Sequence, residues 1–338
     1  MDNFSQTIKN QIENTVERLE NLRRGDSLVL ALFSDIHVSD ICEERVNRLC
    51  ETLKLISAKL RPDAVVDLGD NPGMLGRTKH ISNSDLKYFF ESLLTKIHSA
   101  AAVPLICVNG NHDAIGTDFF DADFWNAIVK GKFGVESAVY GNGSYFYIDY
   151  PKSKTRIVVL SVPSGSDLDA KMPTPLWCFG NEQIEWLTST AIKTDNDIIL
   201  LCHTPPYDKY TGNIESTLAT WDGEKERVST IAALCGWTDD ADVVAKALKS
   251  HFDSSENRLL GIFSGHAHFD SIWQPLESRG PFTNQLDCTQ VVIKSPQNEK
   301  GYTDFIGMAV DIAVWTPSKN EFNIIRIGDG EDREITIK

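Results

Sequence analysis

Apolar runs and helical stripes alternate through the first part of the chain. Apolar runs at 27–33, 64–68 and 103–108 are typical of buried strands. Between them, apolar residues recur at helical spacing over 46–60 and 85–99, which predicts two amphipathic helices. Each predicted strand runs directly into a short polar loop. This repeated order of strand, loop and helix indicates an α/β fold, with mostly parallel strands and helices packed on the sheet faces.

The second half of the chain is richer in predicted strands. They lie at 145–149, 156–162, 198–202, 259–263, 289–294, 307–315, 321–326 and 333–337, the first two as a hairpin. Helical patterns at 181–187 and 240–251 separate some of these strands. The segment 205–257 interrupts the rhythm, and we interpret it as a cap-like insertion, not as a domain of its own.

An amphipathic helix is predicted within residues 1–25. Its apolar face consists of Ile8, Ile12, Val16, Leu19 and Leu22, and Gly25 provides the stop. Two interpretations of this face stay open, namely packing on the body of the protein and a short helix–helix contact with a partner. Residues 26–338 are predicted to form a single domain.

The chain is acidic, with 48 acidic against 33 basic residues and a formal charge of -15. This charge opposes non-specific attraction to nucleic acid or to anionic membranes, so neither is expected as a partner. A phosphorylated substrate remains compatible, because bound metal ions locally reverse the sign of the field. The seven cysteines are dispersed without a CxxC pair, which indicates reduced thiols in packing roles. With no secretory apolar core and no run long enough to span a bilayer, we expect a soluble cytoplasmic protein.

Candidate chemistry is concentrated where the predicted strands end. Five short segments there carry metal-type ligands: Asp35-Ile36-His37, Gly69-Asp70-Asn71, Gly110-Asn111-His112-Asp113, Cys202-His203-Thr204 and Gly265-His266-Ala267-His268. One histidine after a strand is usually a structural residue, but five of the eight histidines fall in these segments. The carboxyl ends of strands in open α/β sheets converge on one crevice. We therefore expect these side chains to lie close together in space.

The residue types in these segments favour a pair of metal ions. In Asp35-x-His37 and His266-x-His268, alternate residues can face one side of an extended strand exit. The two carboxylate oxygens of Asp70 can bridge two ions. Imidazole, carboxylate and amide donors without thiolate suit manganese, iron or zinc, and so many histidines argue against magnesium as the only native ion.

The ordered set of segments resembles the calcineurin-like metallophosphoesterase superfamily, whose pattern is DxH, GD, GNH(D/E), H and GHxH. The resemblance spans Asp35 to His268. It implies a four-layer α/β/β/α sandwich, in which two mixed sheets are flanked by helices. The implied ligands are Asp35, His37 and His268 for one metal, Asn111, His203 and His266 for the other, and Asp70 as the bridge.

The resemblance also implies an enzymatic reaction. A metal pair can activate water and clamp a phosphoryl group, so we expect a phosphodiesterase or phosphatase acting on a small molecule or nucleotide. His112 would contact the phosphate and help to protonate the leaving oxygen, and Asn111 would also lie at the substrate. Some phosphatases of the family have an acidic residue three positions after the bridging aspartate, where this chain has Gly73. Asp67 or Asp113 could orient His112 instead, or both could be solvated charges.

Other substrate contacts are less specific. Arg77, Lys79 and His80 could meet the anionic part of a substrate, or form a solvated loop. Tyr207 and Tyr210 could stack on a nucleobase or aryl group, or pack within the insertion. The alternative function is a non-catalytic metal-binding scaffold or interaction module on the same fold. Retention of every ligand position of the pattern counts against that alternative.

Overall fold

The computed structural model describes residues 3–38, 43–71, 83–110, 113, 122–141, 144–161, 179–204, 241–266, 271–273, 290–292, 308–335 and 337. Several predicted site residues lie outside these ranges: Asn111, His112, His268, Gly73, Arg77, Lys79, His80, Tyr207 and Tyr210. Most of the predicted insertion lies outside them as well. Within the described ranges, no helix combines the length and apolarity needed to cross a lipid bilayer.

Six strands form the first sheet, in the order β13-β12-β11-β1-β2-β3. Their bounds are β1 Leu28–Phe33, β2 Ala64–Asp67, β3 Leu105–Cys107, β11 Ala309–Thr316, β12 Glu321–Gly328 and β13 Arg333–Ile335. The first three strands run parallel, as their alternation with helices predicts. β11 pairs antiparallel with β1 and with β12, so the C-terminal strands complete a mixed sheet.

Seven strands form the second sheet, in the order β4-β5-β6-β7-β8-β10-β9. Their bounds are β4 Val139–Tyr140, β5 Phe146–Tyr150, β6 Thr155–Val159, β7 Asp197–Leu201, β8 Leu259–Ser264, β9 Ser271–Trp273 and β10 Gln290–Val292. β6, β7, β8 and β10 run parallel, whereas both ends of the sheet are antiparallel. β5 and β6 form the predicted hairpin.

Six α-helices are described. They are α1 Asn3–Leu22, α2 Glu43–Lys59, α3 Asn83–Ala101, α4 Ala122–Val129, α5 Asn181–Trp186 and α6 Ala241–Phe252. A π-helical turn, Leu187–Ala191, continues α5, and a 3-10 turn, Pro317–Lys319, joins β11 to β12. The sequence pattern missed α4, β4 and β9, which are short.

Alternating side chains on the strands separate three apolar layers. In β1, Leu28, Leu30 and Leu32 face the second sheet, whereas Val29, Ala31 and Phe33 face α1 to α4. The second sheet repeats this arrangement, with one face against the first sheet and the other against α5 and α6. The predicted four-layer α/β/β/α sandwich is therefore confirmed.

The N-terminal helix packs on the outer face of the first sheet. Ile8, Ile12 and Leu19 are buried in the layer between that sheet and its helices. The side chain of Gln11 accepts a hydrogen bond from the backbone N–H of Gly328 at 2.8 Å and donates one to its carbonyl oxygen at 3.3 Å. These contacts join the start of the chain to the end of β12.

Candidate metal centre

The first predicted ligands follow β1. Asp35 and His37 adopt left-handed backbone conformations, with φ of 55° and 41°. The expected extended strand exit is therefore wrong at this point. His37 Nε2 nevertheless lies 3.6 Å from Asp35 Oδ1 and 3.8 Å from Asp70 Oδ2. Two left-handed residues, and not strand alternation, bring these side chains together.

The loop after β2 lies directly beside this segment. The backbone N–H of Asp35 donates to the carbonyl oxygen of Gly69 at 2.9 Å, and that of His37 donates to the carbonyl oxygen of Asp70 at 3.1 Å. The N–H of Val38 donates to the carbonyl oxygen of Asn71 at 2.7 Å. Backbone pairing therefore continues past the strand ends and holds the DxH and GD segments in register. This register places the Asp70 carboxylate against the His37 ring.

His203 and His266 approach Asp70 from the second sheet. His203 Nδ1 lies 2.8 Å from the carbonyl oxygen of Leu68, and its Nε2 lies 3.1 Å from Asp70 Oδ2. The backbone N–H of His266 donates to Asp35 Oδ2 at 2.9 Å. The two imidazole rings are 5.2 Å apart between centroids and nearly perpendicular. Ligand candidates from both sheets thus meet at one point.

These residues form two triads that share one carboxylate. One triad is Asp35, His37 and Asp70, and the other is Asp70, His203 and His266. Within each triad, one donor atom per residue lies within 4.8 Å of the other two. All five side chains are buried except His266, which is partly exposed. Nitrogen and oxygen donors clustered in this way fit a pair of cations with a shared carboxylate.

Four of the nine described non-glycine residues with left-handed backbone are ligand candidates. Asp35, His37, Asp70 and His266 all have φ between 41° and 68°. The left-handed region costs an L-residue about 1–2 kcal/mol, and such strain persists only where surrounding contacts hold it. Its clustering at four ligand candidates indicates that the loops are shaped for a ligand.

The buried charges at this point are strongly perturbed. Burial opposes a charged His203, but the carboxylates of Asp70 and Asp35 outweigh it and raise the pKa of His203 to about 9. Burial raises the pKa of Asp67 to about 7. Burial and the neighbouring charges of Asp70 and Asp67 raise the pKa of Asp113 to about 8. Cations bound here would relieve this excess of buried negative charge.

Three glycines without side chains allow the loops that carry the ligand candidates to pack closely against one another. A Cβ on Gly110 would lie 2.8 Å from both the backbone nitrogen of Asp70 and Cγ of His203. A Cβ on Gly69, whose φ is 98°, would lie 2.6 Å from the nitrogen of Gly110. A Cβ on Gly265 would lie 2.5 Å from Asp35 Oδ2. Side chains at these three positions would push the ligand loops apart.

The interpretation of Asp67 and Asp113 as solvated charges is wrong. Both are buried, and their carboxylates accept hydrogen bonds from the loop that carries Asp70. The available sequence signal was their position, three residues before Asp70 and two residues after Asn111. It did not show that backbone N–H groups, and not water, are their partners.

Sequence reasoning also missed polar residues that support the site. Ser34 donates from Oγ to Asp35 Oδ2 at 2.5 Å. Ser161 donates from Oγ to the side-chain oxygen of Asn109, and its backbone N–H donates to Gln183 Oε1 at 2.8 Å. Asn109 follows β3 and Ser161 follows β6, so this buried network links the two sheets beside the site. Ser34 and Asn109 each directly precede a motif, whereas Ser161 and Gln183 have no such signal in the sequence.

Comparisons with known proteins agree with this geometry. The sequence profile of calcineurin-like phosphoesterases matches residues 28–270. Among solved structures, the fold is similar to that of a dimetal phosphatase from Danio rerio, with a TM-score of 0.60 and 14% identity over 92% of this chain and 99% of that chain. It is also similar to PhoD, with a TM-score of 0.51 and 12% identity over 92% of this chain and 68% of that chain. A search of curated protein sequences gave no significant match.

Proposed function

This chain belongs to the calcineurin-like phosphoesterase family, and from that premise we propose that it hydrolyses small phosphorylated molecules or nucleotides with two metal ions held around Asp70. Metal-dependent phosphoester hydrolysis is the activity of the family. The substrate class and the ligand assignment are our proposal. The observation that carries it is the pair of donor triads sharing the Asp70 carboxylate.

We assign ligands to both ions. Asp35, His37 and His268 would hold one ion, Asn111, His203 and His266 the other, and Asp70 both. The donors are imidazole, carboxylate and amide groups, which favour manganese, iron or zinc over magnesium alone. The five described members of this set support the assignment by their mutual distances.

Several residues of the chain prepare the reaction. The Leu68 carbonyl holds the His203 ring, and Ser34 holds the Asp35 carboxylate. Both contacts orient a donor before a metal arrives. Two ions bound here would supply Lewis acidity and a water nucleophile at neutral pH. In this proposal Asn111 and His112 contact the phosphate, and His112 gives a proton to the leaving oxygen.

The charge of the chain bears on the substrate. A formal charge of -15 disfavours long polyanions such as nucleic acid, whose binding depends on basic surfaces. A compact phosphate ester needs positive potential only at the reacting group, which the metal ions supply. We therefore favour small substrates, with Arg77, His80 and Tyr207 as candidate contacts outside the described residues.

Metal analysis combined with turnover tests this proposal. We expect the purified protein, incubated with Mn²⁺ or Zn²⁺, to retain about two ions per chain and to cleave members of a panel of aryl phosphates, aryl phosphodiesters and cyclic nucleotides. Asp70→Ala should lose both the ions and the turnover, whereas Asp195→Asn, on an exposed turn, is the matched control. His112→Ala should keep the ions and slow turnover by roughly 10²–10⁴-fold. A folded wild-type protein that binds no metal and cleaves nothing on the panel would favour a non-catalytic interaction module instead.

A further inference from the structure

Two buried carboxylates accept every backbone N–H of the Gly69–Asn71 loop. Asp67 accepts the N–H of Gly69 at 3.0 Å. Asp113 accepts the N–H of Asp70 at 2.9 Å through Oδ2, and that of Asn71 at 3.0 Å through Oδ1. This loop follows β2 and contains the shared carboxylate of the two triads. The N–H groups of the loop therefore donate to side chains, where those of a strand would donate to backbone.

Asp113 also reaches a second loop. Its Oδ2 accepts the N–H of Gly110 at 2.6 Å, in addition to that of Asp70. Gly110 immediately precedes Asn111, the proposed ligand after β3. One carboxylate thus joins the loop after β2 to the loop after β3. An aspartate suits this position because its two oxygens can accept several hydrogen bonds, and three backbone N–H groups point at them.

These bonds hold Asp70 in a conformation that it would not adopt by itself. Its φ of 59° lies in the left-handed region. The loop carbonyl groups are held by the segment after β1, and the N–H groups of Asp70 and Asn71 by Asp113. Of these two sets of contacts, the second ties Asp70 to Gly110, because Asp113 also accepts the N–H of Gly110.

We propose that Asp113 is a positioning residue of the metal centre, which holds the Asp70 backbone against Gly110, the residue before the proposed ligand Asn111, by accepting the N–H groups of Asp70, Asn71 and Gly110. The proposal rests on the proposed function, in which Asp70 and Asn111 bind a common ion. It assigns Asp113 no contact with metal or substrate. It also gives this acidic residue a role other than orienting His112.

An isosteric pair of variants tests the proposal. Asp113→Asn keeps the shape but presents an amide N–H₂ to at least one of three N–H donors. Asp67→Asn replaces the other carboxylate that contacts this loop, but its side-chain oxygen can still accept the N–H of Gly69, and its amide can donate to Asn71 Oδ1 if the Asn71 amide turns over. We expect Asp113→Asn to weaken Mn²⁺ and Zn²⁺ affinity by roughly 10–100-fold in chelator competition, as outer-shell changes typically do. Asp67→Asn should weaken it by much less.

A separate measurement distinguishes positioning from general stability. If Asp113 were merely structural, Asp113→Asn would lower the unfolding midpoint of the metal-free protein but leave the metal affinity of the folded fraction within twofold of wild type. That result would overturn the proposal. Equal losses in both variants would overturn it too, because charge alone would then explain them. If wild type itself binds fewer than two ions, the proposed function fails first and this inference falls with it.

Hydrogen exchange of the wild-type protein covers the case in which Asp113→Asn does not fold. The amides of Asp70, Asn71 and Gly110 should be protected together in the metal-free protein, because they share one buried acceptor. Rapid exchange of these amides, while neighbouring strand amides stay protected, would contradict the proposal.

Discussion

His203 Nδ1 lies 2.8 Å from the carbonyl oxygen of Leu68, the residue that connects β2 to the Gly69–Asn71 loop. A carbonyl oxygen can only accept, so Nδ1 must carry the proton. When the ring is neutral, Nε2 then presents its lone pair, 3.1 Å from Asp70 Oδ2. The backbone of the first sheet thus selects the tautomer of His203, a proposed ligand that follows a strand of the second sheet.

This geometry predicts the metal-binding atom of His203. On addition of Zn²⁺, the ¹⁵N resonance of His203 Nε2 should shift. Nδ1 should stay protonated, and its ¹⁵N resonance should remain that of an N–H nitrogen. Long-range ¹H–¹⁵N correlation spectra would measure both nitrogens. His251, which lies beside Lys193 and Asn257, serves as the internal control, and its shifts should not move. A zinc-induced shift of Nδ1 in place of Nε2 would contradict the assignment.

Metal binding is predicted to release protons. Because the pKa of His203 is raised to about 9 in the metal-free protein, its ring is charged at pH 7 and must lose a proton before Nε2 binds a cation. Apparent metal affinity should therefore rise as the pH increases toward about 9. Calorimetric titrations at pH 7 in buffers of different ionisation enthalpy would count the protons. His203→Gln should release fewer protons than wild type, and equal counts would exclude His203 as their source.

The raised pKa of His203 also predicts how the free energy of unfolding of the metal-free protein depends on pH. The pKa of His203 in the folded protein lies above its ordinary value of 6.5. Its contribution to stability is therefore fully present below about pH 6.5 and is lost as the pH rises through about 9. Denaturant unfolding of the metal-free protein should show this decline, and it should be smaller in His203→Gln. A stability that rises over this range would contradict the prediction.

Gly110→Ala is predicted to damage the metal centre. The added Cβ would lie 2.8 Å from Asp70 N and from His203 Cγ, closer than carbon atoms ordinarily approach these groups. The two residues must move, and we expect metal affinity to fall at least about tenfold. Gly25→Ala is the matched control, because no atom lies within 4 Å of its Cβ. Metal titration of both variants would check this, and equal affinities would show that the loops can separate without loss.

Ile12→Ala is predicted to lower the free energy of unfolding by about 2–5 kcal/mol, because Ile12 is buried between α1 and the first sheet. Glu13→Ala, on the exposed side of the same helix, should change it by less than about 0.5 kcal/mol. Urea unfolding of the two variants is the measurement. A negligible effect of Ile12→Ala would mean that α1 detaches readily from the body, which is the condition for the partner contact.

Much of the fold could be predicted from the sequence because its strands are apolar and end at polar loops. Periodicity identified β1, β2 and β7 to within a residue or two, since burial on both faces leaves a continuous apolar run. The topological argument also anticipated that Asp35 and Asp70 would meet, because the parallel strands β1 and β2 deliver their carboxyl ends to one edge. His203 reaches them from the second sheet, which an argument about a single sheet does not include.

The remaining details depend on contacts that no local pattern encodes. The left-handed backbone of Asp35 and His37 is held by hydrogen bonds to a loop from another strand. Whether Asp113 meets water or backbone N–H groups depends on the position of Gly110 and Asn71 around it. The periodicity of apolar residues indicates which side chains of one helix or strand are buried. It gives no information about such contacts between loops.

The pairing of β1 with β11 has a consequence for synthesis of the protein. Leu28 is paired with Trp315, so a ribosome releases β1 long before its neighbour, with a delay on the order of half a minute at typical translation rates. During that interval one edge of β1 lacks its native partner and is open to wrong pairing. The nascent chain therefore completes the pairing of β1, the strand that precedes Asp35, only after Trp315 has left the ribosome, and termination before that point would leave an aggregation-prone edge.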